Sequence, residues 1–310
     1  MPAPRNIIID TDPGQDDAVA ILLALAAPEL NVLGITAVAG NVPLPLTEVN
    51  ARKICELAGR RDIRVFAGAD APLKRPLVTA EYVHGKTGLD GPDLPDPTMP
   101  LQPQHAVDFI IETCRAGPVT LCALGPLTNL AMALEQAPDI GANIDEIVLM
   151  GGGLFEGGNT TPAAEFNIFV DPHAADIVFR SGARITVFPL DLTHSALTTE
   201  ARVAAFRAKG TAPCDAVADL LDFFERFDEE KYGTDGGPLH DPNVIAYLLR
   251  PDLYRGRHIN VEIETGSELT MGMTVADWWR VTDRPPNATW MRFVDADGFF
   301  DLLLDRIGKL

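Results

Sequence analysis

A strand-like run that ends in four aspartates constrains this chain more than any other segment. Ile7-Ile8-Ile9-Asp10-Thr11-Asp12-Pro13-Gly14-Gln15-Asp16-Asp17-Ala18 leads at once into the apolar stretch Val19 to Ala27. Three consecutive isoleucines read as a strand covered on both faces, and the stretch after the acids reads as a buried helix. The chain must therefore turn between two apolar elements and put its carboxyl groups in or beside that turn. Two unit charges about 4 Å apart repel by roughly 4 kcal/mol at an effective dielectric of ~20. A folded chain keeps such a cluster where the groups are solvated, share protons or hold a cation. The apolar flanks argue against full solvation, so a metal or a polar ligand is the leading reading.

The ligand type narrows the metal. Carboxylate oxygens with no Cys or His beside them suit hard cations, Ca²⁺ or Mg²⁺. An EF-hand does not fit, because Pro13 interrupts the alternating ligand positions of that loop. A phosphatase with Asp10 as covalent nucleophile shares the strand-Asp-x-Asp opening. Gly14 stands where that motif wants Thr or Val, however, and Asp16-Asp17 are left without a role.

The rest of the chain alternates. Strands are expected at Ile7 to Ile9, Asn31 to Val38, Ile63 to Phe66, Val119 to Ala123, Ile147 to Met150, Ile185 to Leu190, Ile259 to Ile263 and Thr289 to Phe293. Helices are expected at Asp16 to Ala26, Leu46 to Leu57, His105 to Arg115, Leu127 to Leu134, from Asp171-Pro172 to Phe179, and at Arg202 to Ala208, Ala216 to Lys231, Pro242 to Leu249 and Phe299 to Ile307. Between Gly68 and Pro103 lies a long proline-rich stretch, and loops of that length are functional or disordered. Short apolar strands separated by amphipathic helices imply an α/β fold. We expect one domain over residues 1–310, a mostly parallel open sheet with helices on both faces. Ligands of such folds bind beyond the carboxyl ends of the strands. Asp10 and Asp12, Gly40-Asn41, Leu124-Gly125 and Gly151-Gly152-Gly153 all follow strands there, which argues for one site.

The net charge of −19 makes nucleic acids and anionic membranes poor partners. No apolar run approaches the roughly 18 residues of a membrane span. Cys55, Cys114, Cys122 and Cys214 form no CxxC pair and read as reduced thiols of a cytoplasmic protein. Other polar residues are ambiguous alone. Asp241, in His240-Asp241-Pro242, suits an N-cap as well as a ligand. His84, Asn159, Glu165 and Asn167 could be loop surface. The glycines after Met150 lack the Lys-Ser/Thr of a P-loop, so close approach to some other ligand is the better reading.

Taken in order, these segments resemble the nucleoside hydrolase family. They are Asp10-Thr-Asp-Pro-Gly-Gln-Asp-Asp-Ala18, His84-Gly-x-x-Gly-Leu-Asp-Gly91, Leu124-Gly-Pro-Leu-Thr-Asn129, Met150-Gly-Gly-Gly153, Ala164-Glu-Phe-Asn167 and His240-Asp-Pro242. The resemblance runs from about Ile7 to Val275. It implies a Rossmann-like nucleoside hydrolase fold and a Ca²⁺-dependent enzyme that splits ribonucleosides of the inosine, uridine and cytidine type into ribose and base. Asp12, Asp17, the Leu124 carbonyl and Asp241 would hold the metal, with Asp10 in support. Asp12 would take a proton from the attacking water, and His240 would be the acid for the leaving base. Asp16, Asn41, Asn159, Glu165 and Asn167 would contact ribose, while His84 and Tyr232 would face the base. The resemblance also implies a homodimer or homotetramer, and it does not choose between purines and pyrimidines. The phosphatase with Asp10 as nucleophile and a non-catalytic nucleoside-binding module on the same scaffold are the remaining alternatives.

Overall fold

The computed structural model describes residues 3–232 and 236–310, with residues 225–232 described as backbone only. Six strands in chain order make most of the sheet. They are β1 (Arg5–Thr11), β2 (Leu30–Ala37), β3 (Val65–Ala67), β4 (Val119–Ala123), β5 (Ile144–Met150) and β6 (Ile185–Phe188). Their spatial order is β3-β2-β1-β4-β5-β6, continued by Ala288–Val294 and, at the edge, Tyr254–Ile259. Neighbours run parallel except at that last pair, where Tyr254–Ile259 is antiparallel to Ala288–Val294. This is the expected mostly parallel α/β sheet.

The isoleucines of β1 show why the sheet is covered on both sides. Side chains alternate along a strand, so Ile7 and Ile9 enter one apolar layer and Ile8 the other. The first layer contains the helices Gln15–Leu25 (α1), Leu44–Leu57 (α2), Pro242–Leu249 and Ala296–Ile307. The second contains Ala106–Ala116, Thr128–Gln136 and Pro172–Phe179. Each fully buried isoleucine contributes about 1.5–3 kcal/mol of transfer free energy. Every residue of α1 is buried, as befits a helix that is apolar on nearly all sides. The four cysteines are buried free thiols. No described helix is long and apolar enough to cross a membrane.

Ile185–Phe188 stops short of the expected Leu190, which begins a helical turn, and two further strands depart more from expectation. The third covers Val65–Ala67 rather than Ile63 to Phe66. Ile259 to Ile263 is not one strand: the sheet-edge strand is Tyr254–Ile259, and Val261–Ile263 pairs separately with Thr274–Ala276. Asn260 marks the break, its amide donating to Glu262 Oε1 (3.1 Å) and the Pro285 carbonyl (3.0 Å). The edge strand reads Tyr-Arg-Gly-Arg-His-Ile, and its four middle residues are exposed. It has no apolar alternation for a sequence pattern to detect, and charged residues are a common guard of sheet edges. The long stretch after Gly68 is irregular except for one helical turn, Glu81–His84.

Candidate active site

The strand order reverses between β1 and β4, since β2 and β3 lie on one side and β5 and β6 on the other. The crevice outside the carboxyl ends of β1 and β4 is where this architecture binds ligands. Asp10 lies at the end of β1 and Asp12 just beyond it, and Leu124 follows β4. α1 packs against the helix Pro242–Leu249. Asp16 and Asp17 occupy the first turn of one, and Asp241 precedes the other. Packing of two helices thus brings Asp241 to a pair more than two hundred residues away in the chain. Helix N-termini also favour negative charge.

The acids divide by depth. Asp10 is the deepest, with Oδ1 accepting from Thr36 Oγ1 (2.5 Å) and Asn129 Nδ2 (2.8 Å). Its burial raises its pKa to about 7. Asp12 is wedged between glycines, for a Cβ on Gly40 would fall 2.0 Å from its Oδ2 and one on Gly125 2.2 Å from its Oδ1. Its Oδ2 accepts the Asn41 amide (2.7 Å). Its Oδ1 is buried and has no hydrogen-bond partner among the described residues. Asp17 accepts from the Thr11 hydroxyl and from the Gly14 amide (2.9 Å). One carboxylate oxygen each from Asp16, Asp17 and Asp241 lies within 4.8 Å of the other two. Burial, then repulsion from Asp17, raises Asp16 to about 8. Burial followed by neighbouring aspartates holds Asp12 and Asp241 well above the carboxylate range. No ion pair to any of these five acids occurs among the described residues. Buried carboxylates without a cationic side chain, two of them (Asp10 at Oδ2 and Asp12 at Oδ1) with an orphaned oxygen, fit a hard divalent ion.

Asp16, Asp241, Asn41 and Leu124 line the pocket above this cluster, whereas Asp10, Asp12 and Asp17 lie behind them. Asp241 makes no side-chain cap to its helix, so the capping explanation of that residue fails. One wall is the loop from Asn159 to Asn167. Asn159 Oδ1 accepts the Phe166 amide (2.9 Å), and Asn167 Nδ2 donates to the Leu124 carbonyl (2.7 Å). Glu165 caps the helix Phe166–Val170 and accepts the Gly152 amide (2.9 Å). His84 and His240 also line the pocket, with the Phe224 ring 5.6 Å from the first and 6.4 Å from the second. His240 Nδ1 lies 2.7 Å from Thr193 Oγ1. Leu197–Thr198 pairs with Gly237–Pro238 and carries the chain to that position.

A sequence profile of the family described as "inosine-uridine preferring nucleoside hydrolase" matches residues 7–301. The chain belongs to this family. As a nucleoside hydrolase it acts on N-glycosyl bonds. It is 50% identical over 306 residues to the pyrimidine-specific ribonucleoside hydrolase RihA of Shewanella sp. strain MR-4, covering 98% of this chain and 96% of that one. The Escherichia coli K12 RihA is 48% identical over 304 residues, with 97% of each chain covered. Among solved structures, the purine-preferring ribonucleoside hydrolase of Gardnerella vaginalis superposes with a TM-score of 0.92 at 34% identity, covering 98% of each chain.

In this nucleoside hydrolase the predicted residues Asp16, Asn41, His84, Leu124, Asn159, Glu165, Asn167, His240 and Asp241 meet around one pocket. Tyr232 ends the helix Ala212–Tyr232, but its side chain lies outside the described residues. The glycines after Met150 differ from expectation. The Gly152 amide serves Glu165, the Gly153 amide serves Thr274 Oγ1 (3.0 Å), and a Cβ on Gly152 (φ +80) would meet Thr274 at 2.8 Å. The close approach is to the protein itself, so no phosphate cradle is formed. Trp290 is buried and donates to Asp191 (3.0 Å), and none of the three tryptophans lines the pocket. Phe224, Thr193 and Gln15 escape a sequence reading. A phenylalanine in an amphipathic helix and a threonine near a strand end carry no signal of chemistry, and Gln15 is overshadowed by the acids beside it.

Proposed function

We propose that this enzyme hydrolyses the N-glycosidic bond of ribonucleosides of the uridine, cytidine and inosine type in a Ca²⁺-dependent reaction, giving ribose and free base. The buried, unpartnered Asp12 Oδ1 among four further buried acids carries the reading. Asp12, Asp17, Asp241 and the Leu124 carbonyl would hold the cation, with Asp10 behind them. When bound, such an ion lowers the pKa of water and neutralises the acidic floor.

The chain's own groups supply the rest. Asp12 accepts the proton of the attacking water. Asp16, Asn41, Asn159, Glu165 and Asn167 bind ribose and hold its C1′ carbon in line for attack. Positive charge develops on the ribose ring in an oxocarbenium-like transition state, and the buried carboxylates stabilise it. His240 gives a proton or hydrogen bond to the departing base. The Thr193 hydroxyl at its Nδ1 both donates and accepts, so it serves either protonation state of the ring. Thr193→Val is therefore expected to lower kcat about tenfold with KM little changed, the size of one hydrogen bond. Thr193→Ser should retain most activity. Steady-state kinetics of the pair decide it, and equal rates for Val and wild type would remove Thr193 from the orientation of His240.

Uridine and cytidine are proposed as better substrates than inosine, because the Shewanella and Escherichia coli relatives near half identity are named pyrimidine-specific and the purine-preferring hydrolase of Gardnerella vaginalis stands at 34%. The test is chromatography of free base from uridine, cytidine, inosine and adenosine, before and after prolonged chelation. Base release that chelation abolishes and Ca²⁺ restores, fastest for the pyrimidines, is the expected result. Unchanged release after verified removal of metal would exclude the cation's role.

A further inference from the structure

We infer that Gln15 fixes His84 as the Nδ1-protonated tautomer, leaving Nε2 as an acceptor for an N–H or O–H donor on the bound nucleoside. The last clause rests on the proposed substrate class; the tautomer does not.

Gln15 is fully buried at the start of α1. Its side-chain nitrogen donates to two carbonyls, those of His84 (3.0 Å) and Asp90 (3.1 Å). Carbonyl oxygens only accept, so the NH₂ end of the amide has to face them. The amide oxygen is thereby turned to His84 Nδ1, at 2.7 Å. That oxygen also only accepts, and Nδ1 must supply the hydrogen. Burial pushes the His84 pKa down to about 3, so the ring carries a single proton near neutrality. With Nδ1 holding it, Nε2 presents a lone pair. A Cβ on Gly14 would lie 2.4 Å from Nδ1 and 2.8 Å from Cε1, so only the bare glycine lets this edge of the ring seat against α1. His84 lines the pocket, and with Nδ1 committed to Gln15 the nitrogen left for a ligand is Nε2.

Gln15 is on this account a positioning residue. It also ties down the loop that carries His84, since the same amide grips the carbonyls at both ends of the segment from His84 to Asp90. Asp90 closes that segment by accepting the Lys86 (3.1 Å) and Thr87 (3.2 Å) amides. The donor that Nε2 reads is a base N–H or the ribose 5′-hydroxyl, the two kinds of N–H and O–H available on the base side of a nucleoside.

Two-bond proton–nitrogen NMR of the histidines at pH 7 tests the tautomer without any turnover. The expected result is a protonated Nδ1 and a lone-pair-bearing Nε2 for His84, assigned by its disappearance in His84→Phe. Gln15→Met should mix the tautomers. A wild-type Nε2 that carries the proton overturns the proposal. Kinetics then identify the donor, comparing uridine with 3-methyluridine, which lacks the base N–H, and with 5′-deoxyuridine, which lacks the hydroxyl. One analogue should lose about tenfold in kcat/KM on the wild type, and that loss should vanish in His84→Phe. Losses identical in both proteins would overturn the acceptor role. The expected spectrum with no hydrolysis of any nucleoside would fault the substrate reading instead.

Discussion

Asp12→Ala is expected to lower kcat/KM on uridine by about 10³, within the range that a positioned general base contributes. The reason is the environment of that one carboxylate. Oδ2 is held by the Asn41 amide, glycines crowd both oxygens, and Oδ1 is left without a partner. Asp17 beside it is committed to Thr11 and Gly14. The fold should survive. In metal-free buffer near neutral pH Asp12→Asn should even melt above the wild type, since it removes a buried carboxyl whose ionisation burial and the neighbouring aspartates oppose. Steady-state kinetics and thermal melts of the two variants check both statements. Turnover within tenfold of wild type would take the base role away from Asp12.

Removing metal is expected to make stability fall steeply as pH rises. Asp10 is raised to about 7 and Asp16 to about 8 by burial, Asp16 also by Asp17. In the unfolded chain both titrate near 3.8. Between these limits the native state binds protons that the unfolded state has released. The derivative of unfolding free energy with pH is then negative, by about 1.4 kcal/mol per pH unit for each such group. Chelated protein should therefore be most stable near pH 4 to 5, with its melting temperature dropping by several degrees toward pH 7.5. Saturating Ca²⁺ should flatten the profile, because a cation that binds only the native state replaces those protons and adds stability by mass action. Melts from pH 5 to 8, with and without chelator, measure it. Superimposable profiles would mean that the acids hold no cation.

How much of this could be read from the sequence differs between the parts of the molecule. Ile7 to Ile9 and Val19 to Leu25 are apolar without interruption, so a buried strand and a buried helix were the only economical readings. The same local rule found most of the alternating elements and the α/β class. It failed at Tyr254–Ile259, whose polar residues are paired on one side only and exposed along the middle. The acids beside α1 were conspicuous because like charges between apolar flanks need an explanation in any fold.

Ordered motifs named the pocket residues, but their working state came from contacts far apart in the chain. His84 owes its tautomer to Gln15, 69 residues earlier, and His240 its orientation to Thr193, 47 residues earlier. Phe224 reaches both histidines only because its helix packs over α1. The chain by itself determined the elements, their order and the acidic strand end, because hydrophobic period and local charge are properties of neighbouring residues. Only the tertiary structure decided which Asp12 oxygen is orphaned, that Asp10 is held by Thr36 and Asn129 and that the triple glycine faces protein, because burial and hydrogen-bond pairing exist only once distant segments have met.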